Sequence, residues 1–230
     1  MNDETGAVVL LSGGLDSSVL LHYVASRLGR KPVHALSFNY GQRHSKELAC
    51  AHAQAGNAGA LVHQVIDASF LGALLKHGSV LLEGGKAVPD FASLDAEELK
   101  QPPTYVPNRN MMLLAMAAAY AEAHEMQDVF YGAQAQGEYG YWDCTKEFLE
   151  RLNATFSLNR KRPVTVHAPF VAWAKKEIVV LGTELEVNFG DTWSCYRGGD
   201  TPCGTCPTCV ERANAFRDAG VVDPLVESRS

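Results

Sequence analysis

Residues 7–21 read AVVLLSGGLDSSVLL, and the order of chemistry in that stretch decides the fold. Residues 7–11 form an unbroken apolar run, as expected of a strand covered on both faces in a parallel sheet. A Ser12-Gly13-Gly14 turn follows. Over residues 16–28 the apolar side chains Val19, Leu20, Tyr23, Val24 and Leu28 recur at helical spacing. The turn carries chemistry as well as geometry. Glycine admits positive φ and lets a ligand approach the backbone closely. The first N–H groups of a helix lack partners and lie at the positive end of its dipole, so the turn is suited to an anion. Ser12, Ser17 and Ser18 add hydroxyl donors. No Gly-Lys-Ser/Thr follows, so this is not a Walker-type loop, and the spacing is not that of a dinucleotide GxGxxG. The plain alternative is a Gly-Ser turn with Asp16 as a helix N-terminal carboxylate.

Working outward, residues 32–38 and 61–66 predict strands. Residues 45–55, with Ser45 as N-cap, and 69–76 predict helices. Three strand–helix alternations predict an α/β fold with a doubly wound, mainly parallel sheet. Residues 78–107 carry Gly84, Gly85, Pro89, Pro102, Pro103 and Pro107 and read as a long loop with a short helix near 94–100. Beyond it come helix 109–126, strand 128–131, helix 145–158, strand 164–167, helix 173–181 and a closing helix over 207–217. The expected organisation is one α/β unit over 1–185, with a small segment over 186–230 packed on it.

The chain has 230 residues, 47% of them apolar and 20% charged, which excludes wholesale disorder. A net charge of −6 argues against nucleic acid as a partner, and Arg160-Lys161-Arg162 reads as a solvated loop. No apolar run approaches the roughly 18 residues of a membrane span, and residues 1–7 are too short and acidic for a secretory leader. A cytoplasmic location is expected. Cys50 and Cys144 stand alone, whereas Cys195, Cys203, Cys206 and Cys209 crowd together with x7, x2 and x2 spacing. Without an export leader these four read as metal ligands before disulfides. Four thiolates make a closed, structural zinc site, with an iron–sulfur cluster as the rival. Met111, Met112 and Met116, like Trp142, Trp173 and Trp193, read first as core.

The Ser12-Gly-Gly-Leu-Asp-Ser17 loop resembles the SGGxDS signature of the PP-loop ATP pyrophosphatases. With it run Tyr40-Gly-Gln-Arg-His44, Val106-Pro-Asn-Arg-Asn110, Asp143-Cys144, Lys175-Lys-Glu-Ile178 and Thr192-Trp-Ser-Cys-Tyr196. In this order, from residue 8 to about 217, they resemble the 7-cyano-7-deazaguanine synthase family. The resemblance implies an adenine-nucleotide α-hydrolase-like fold and an ATP-dependent C–N ligase in queuosine-precursor biosynthesis. It would turn 7-carboxy-7-deazaguanine and ammonia into the nitrile, through an adenylate and an amide, releasing AMP and pyrophosphate. Free ammonia is expected because no glutaminase domain fits in this length. The resemblance also implies ATP, Mg²⁺ and structural Zn²⁺ as cofactors and a homodimer. Leu10, Leu11, Ser12, Gly13, Gly14, Leu15, Asp16, Ser17, Ser18, Val19 and Leu20 would bind ATP. Asp16, Arg109 and Lys175 would be catalytic, and Arg43, His44, Asn110 and Asp143 would contact substrate. For Asp143 the alternative is an N-cap of the following helix. Trp142 and Thr145 stand where the family has proline and arginine, residues 134–139 are short of acidic residues with only Glu138, and Ala174 stands where the family can carry a polar residue. An alternative is therefore a paralogue that stops at the amide, or passes the acyl group to an amine of a protein or nucleic acid.

Overall fold

A five-stranded, all-parallel sheet forms the middle layer of the computed structural model, which describes residues 5–42, 46–75, 78–135 and 140–227. The strands are β1 (Ala7–Leu10), β2 (Val33–Asn39), β3 (Val62–Asp67), β4 (Asp128–Phe130) and β5 (Thr165–His167), in the order β3-β2-β1-β4-β5. Ala7 lies level with Val33 on one side and Asp128 on the other, so β1 is the central strand. The chain winds outward from β1 to β3, then returns across to β4. That reversal leaves a crevice at the carboxyl end of β1.

Helices cover both faces. They are α1 (Leu15–His22), α2 (Lys46–Asn57), α3 (Phe70–Leu74), α4 (Ala96–Lys100), α5 (Arg109–Ala123), α6 (Lys146–Phe156), α7 (Lys175–Glu184), α8 (Pro207–Ala219) and α9 (Pro224–Glu227). Alternation along β1 divides the core. Ala7, Val9 and Leu11 pack with α1, α2, α7 and α8, while Val8 packs with α3, α5 and α6. Each fully buried Val or Leu contributes about 1.5–3 kcal/mol. A third cluster joins Val80, Leu81, Leu82, Val88 and Val106 of the long loop to Trp193, Cys195, Cys206 and Cys209. Arg197 adds hydrogen bonds to Val88 O and Asp90. The loop is thus packed on the cysteine segment, and Asp95 and Glu98 close a capping box on α4.

The expected 16–28 helix is two pieces. After α1 the chain widens into a π turn over Tyr23–Arg27, where the Leu28 N–H bonds Tyr23 O and the Ser26 hydroxyl donates to His22 O. The expected 69–76 helix spans only Phe70–Leu74, with Ser69 and Leu75 as its caps, and the proposed Ser45 cap lies outside the described residues. Thr145, not Asp143, caps α6, its Oγ1 accepting from the Phe148 N–H. Met112 and Met116 pack against the second core, while Met111 stays exposed. Trp193 is buried, Trp173 packs on Phe170, and Trp142 is exposed at the surface. No described helix is long and apolar enough to cross a membrane.

Candidate active site

The crevice at the carboxyl ends of β1, β2 and β4 is a cavity of about 300 Å³. A more polar lobe of about 200 Å³ adjoins it, and Asp16, Arg109 and Lys175 line both. Between β1 and α1 the loop folds on its own hydroxyls. The Ser12 N–H donates to Ser17 Oγ at 3.1 Å, the two serine hydroxyls lie 2.9 Å apart, and the Gly14 N–H donates to Ser12 Oγ. Gly13 has φ +81°, and a Cβ there would overlap the Glu47 carbonyl oxygen, so only glycine fits against α2. Gly14 stands at the N-cap of α1 with no capping side chain, which leaves that helix end open for an anion.

Leu10, Leu11, Ser12, Gly14, Leu15, Asp16 and Ser17 line the cavity. Gly13 lies behind the loop, and Ser18 turns its hydroxyl to Gly14 O at 2.8 Å. Val19 and Leu20 are fully buried in the core beneath α1, because the helical period turns them toward the sheet. The structure therefore brings the first part of the 10–20 run to the cavity and not its end.

Lys175, at the start of α7, lies between two carboxylates: Nζ is 2.8 Å from Asp16 Oδ2 and 3.0 Å from Glu211 Oε2. Burial opposes the ammonium charge, but Asp16 and Glu211 outweigh it and hold the pKa above the usual lysine range. Asp16 Oδ1 is buried and has no hydrogen-bond partner among the described residues. An open lone pair on a buried carboxylate is costly, and it is the valence a hard cation would use.

Arg109 opens α5 across the cavity. Its Nη1 donates to the Tyr40 hydroxyl at 3.4 Å and its Nε to Asn110 Oδ1 at 3.2 Å. Burial would lower its pKa, yet Tyr40, Tyr196 and Asp143 raise it, so the guanidinium stays charged. Asp143 is 3% exposed. Burial raises its carboxyl, while Arg109 and the backbone N–H groups of Asn110 and Asp143 pull it back. The Asn110 amide donates to Cys144 Sγ at 3.4 Å. Burial pushes the Cys144 thiol up to about 12, so it is protonated at neutral pH. Arg43 and His44 lie outside the described residues.

Sequence reasoning assigned no role to Glu47, Tyr131, Tyr196 or Glu211, all of which line the cavity. Tyr131 Oη is buried without a described partner. Burial pushes the Glu47 carboxyl up to about 7, with Arg109 opposing. Thr208 and Glu211 flank Cys209 on one face of α8 at i, i+3 spacing, a signal that was available for Glu211. Of the departures from the family pattern, Trp142, Thr145 and Ala174 lie outside the cavity wall, whereas in the acid-poor stretch 134–139 Gln134 lines the polar lobe and residues 136–139 lie outside the described residues. Trp142 donates to the Tyr105 hydroxyl, Thr145 caps α6, and the Ala174 N–H is capped by Glu177.

Beside the cavity, Cys195, Cys203, Cys206 and Cys209 bring four sulfurs within 4.8 Å of one another. Tetrahedral zinc with Zn–S of about 2.3 Å places its sulfurs about 3.8 Å apart, and Cys203 Sγ lies 3.9 Å from Cys209 Sγ. The Cys203 N–H points at Cys195 Sγ and the Cys206 N–H at Cys203 Sγ, which favours thiolates. The cluster is compatible with a metal. Cys206 is the N-cap of α8, and Pro207 starts that helix. Buried Arg212 then ties α8 to Asp223 at 2.7 and 2.9 Å and to Thr192 Oγ1 at 2.7 Å.

Comparison with known proteins adds four findings. The family described as "Queuosine biosynthesis protein QueC" matches residues 6–220. A 7-cyano-7-deazaguanine synthase from Archaeoglobus fulgidus is 46% identical over 96% of this chain and 89% of its own length. One from Nostoc is 42% identical over 95% of this chain and 96% of its own. Among solved structures, an NMN synthetase from Francisella tularensis superposes with a TM-score of 0.50 at 16% identity. It covers 97% of this chain and 81% of that one, which is a likeness of fold.

Proposed function

This chain belongs to the QueC queuosine-biosynthesis family, and from that premise we propose that it is an ATP-dependent ligase making 7-cyano-7-deazaguanine from 7-carboxy-7-deazaguanine and ammonia. The observation that carries the activation chemistry is the orphaned Asp16 Oδ1 beside Lys175, at the mouth of an uncapped helix. A carboxylate oxygen is a poor leaving group. Attack of the substrate carboxylate on the α-phosphorus of ATP expels pyrophosphate and makes it a good one. Ammonia then displaces AMP to give the amide. A second ATP activates the amide oxygen, and its departure with AMP leaves the nitrile.

The residues divide this work. The α1 N–H groups with Ser12 and Ser17 hold the triphosphate. Arg109 and Lys175 carry fixed positive charge to the phosphates or to the acid, Arg109 as a planar fork and Lys175 as a point charge. Asn110 and Asp143, with Arg43 and His44, are assigned to the deazaguanine side. Asp16 Oδ1 suits Mg²⁺, which when bound would neutralise charge on the departing pyrophosphate. The close sulfur cage supports structural Zn²⁺ over an iron–sulfur cluster, which interposes iron and sulfide and needs its thiolates farther apart. We assign residues 1–185 to the ATP-binding unit and 186–230 to the metal segment packed on it. The family resemblance supports a cytoplasmic homodimer, which light scattering of the purified protein tests for its stoichiometry.

No observation favours the amide-stopping or acyl-transferring alternative. Mass spectrometry decides, with metal-replete protein, ATP, Mg²⁺, ammonium and the carboxylic acid. The expected products are nitrile, AMP and pyrophosphate. Accumulated amide, or an adenylate that waits for another amine, would overturn the nitrile assignment.

A further inference from the structure

Four carboxylates line the two lobes of the cavity among the described residues: Asp16, Glu47, Asp143 and Glu211. Three are engaged. Asp16 and Glu211 hold Lys175. Asp143 accepts backbone N–H groups and faces Arg109. Glu47 has no hydrogen-bond or ion-pair partner at its carboxylate among the described residues, although it is not a surface group. It stands in the first turn of α2, whose backbone abuts the phosphate loop at Gly13. Its side chain is half-buried in the cavity wall. The groups that face it are Arg109 from α5, Tyr40 from the loop before α2, Tyr196 from the cysteine segment and Cys50 one turn along α2.

The amide-forming step needs such a group. At neutral pH the nitrogen donor is mostly ammonium, which has four N–H donors and no lone pair. It must be held by an acceptor and lose a proton before it can attack. We propose that Glu47 is that acceptor: it binds the ammonium nucleophile in the cavity and takes its proton. This rests on the acyl-adenylate reading above. One N–H proton passes to a Glu47 oxygen and on to water, freeing the nitrogen lone pair. That pair forms the C–N bond at the acyl carbon. The C–O bond to AMP breaks, and its electron pair leaves on the phosphate oxygen. The surplus proton on nitrogen follows the first through the emptied carboxylate, leaving neutral amide and AMP. A carboxyl raised by burial into the neutral range is matched to this work.

The test compares wild type with Glu47→Gln in the full-length, metal-replete protein, by three readouts. ATP–pyrophosphate exchange with the carboxylic acid reports adenylate formation and an intact fold. Amide formation with ammonium reports the complete transfer. Hydroxamate formation with hydroxylamine, which is uncharged at neutral pH, reports transfer to an amine that needs no prior deprotonation. Glu47→Gln should keep exchange and hydroxamate formation within about threefold and lose about 100-fold in amide formation, with a raised KM for ammonium. Equal loss of hydroxamate and amide would overturn the proposal and make Glu47 a contact to the purine-like edge or the acyl group. Loss of exchange would make it part of the ATP or fold machinery, and unchanged amide formation would leave it no role in transfer. Absence of exchange in the wild type would instead strike the acyl-adenylate reading itself.

Discussion

Asp16 and Asp128 sit at opposite ends of one parallel sheet, each bound to a cation, and they are finished differently. At the amino end of β4, Asp128 uses both oxygens. Oδ1 accepts from His167 Nε2 at 2.6 Å, and Oδ2 lies 3.1 Å from Arg30 Nη1. At the carboxyl end of β1, Asp16 gives Oδ2 to Lys175 and leaves Oδ1 buried with no described partner. A closed network stabilises the fold. An open valence beside a cavity loses stability and keeps a place for a ligand. The same asymmetry runs through the other charged groups, since Arg212 and Asp223 satisfy each other in the core while the Glu47 carboxylate lines the cavity with no hydrogen-bond or ion-pair partner among the described residues.

The sharpest way to break this contrast is Asp16→Ala. Turnover should fall about 10³-fold, with little change in the thermal midpoint, because removing an unsatisfied buried oxygen offsets the lost Oδ2–Lys175 ion pair and Glu211 still holds Lys175. Retained turnover in a nitrile or pyrophosphate assay would erase the distinction. Next is Cys206→Ser, which removes one sulfur from the cage and leaves serine capping α8. It should lose the metal and on the order of 3 kcal/mol of stability, a midpoint fall of about 6–12 °C, read by metal analysis and calorimetry. Because Glu211 lies on the same helix, turnover should fall with the metal. Lys175→Met follows, with about a 10²-fold loss in turnover and a small change in stability, read by steady-state kinetics.

The smallest effect is expected at the closed end. The His167 hydrogen bond and the Arg30 charge hold the Asp128 carboxyl below the usual carboxylate range. A depressed folded-state pKa means stability that is present above the unfolded pKa of about 4 and lost as pH falls through the folded value. Asp128→Asn should therefore cost about 1 kcal/mol at pH 7, or 2–4 °C, with turnover unaffected. Once the pH has fallen below the depressed folded-state value the two proteins should converge. Melting curves across pH check this, and a pH-independent difference would assign the effect to packing.

The strand, turn and helix of residues 7–22 could be read from the sequence because each rests on short-range rules: burial on both strand faces, glycine at positive φ and the 3.6-residue period. The cysteine cage could be read for the same reason, since its ligands fall within 15 residues on one turn-rich segment. Most of the rest of the site is assembled over distance. Lys175 and Asp16 are 159 residues apart in the chain. The resemblance names both as catalytic, but their contact, and its third member Glu211, appear only where α7 meets the phosphate loop and α8 packs on α7. Val19 and Leu20 belong to the same conspicuous run as Ser17, yet packing turns them into the core. The opposite holds for Glu47, which reads as an ordinary first-turn carboxylate until α2 docks on the phosphate loop. The unusual residues Trp142, Thr145 and Ala174 make local hydrogen bonds and are not part of the cavity lining. Backbone geometry over a few residues is set by the residues themselves. Which side chain keeps an unspent charge or lone pair is set by what packs against it from elsewhere in the chain, because that packing removes water and supplies or withholds the partner.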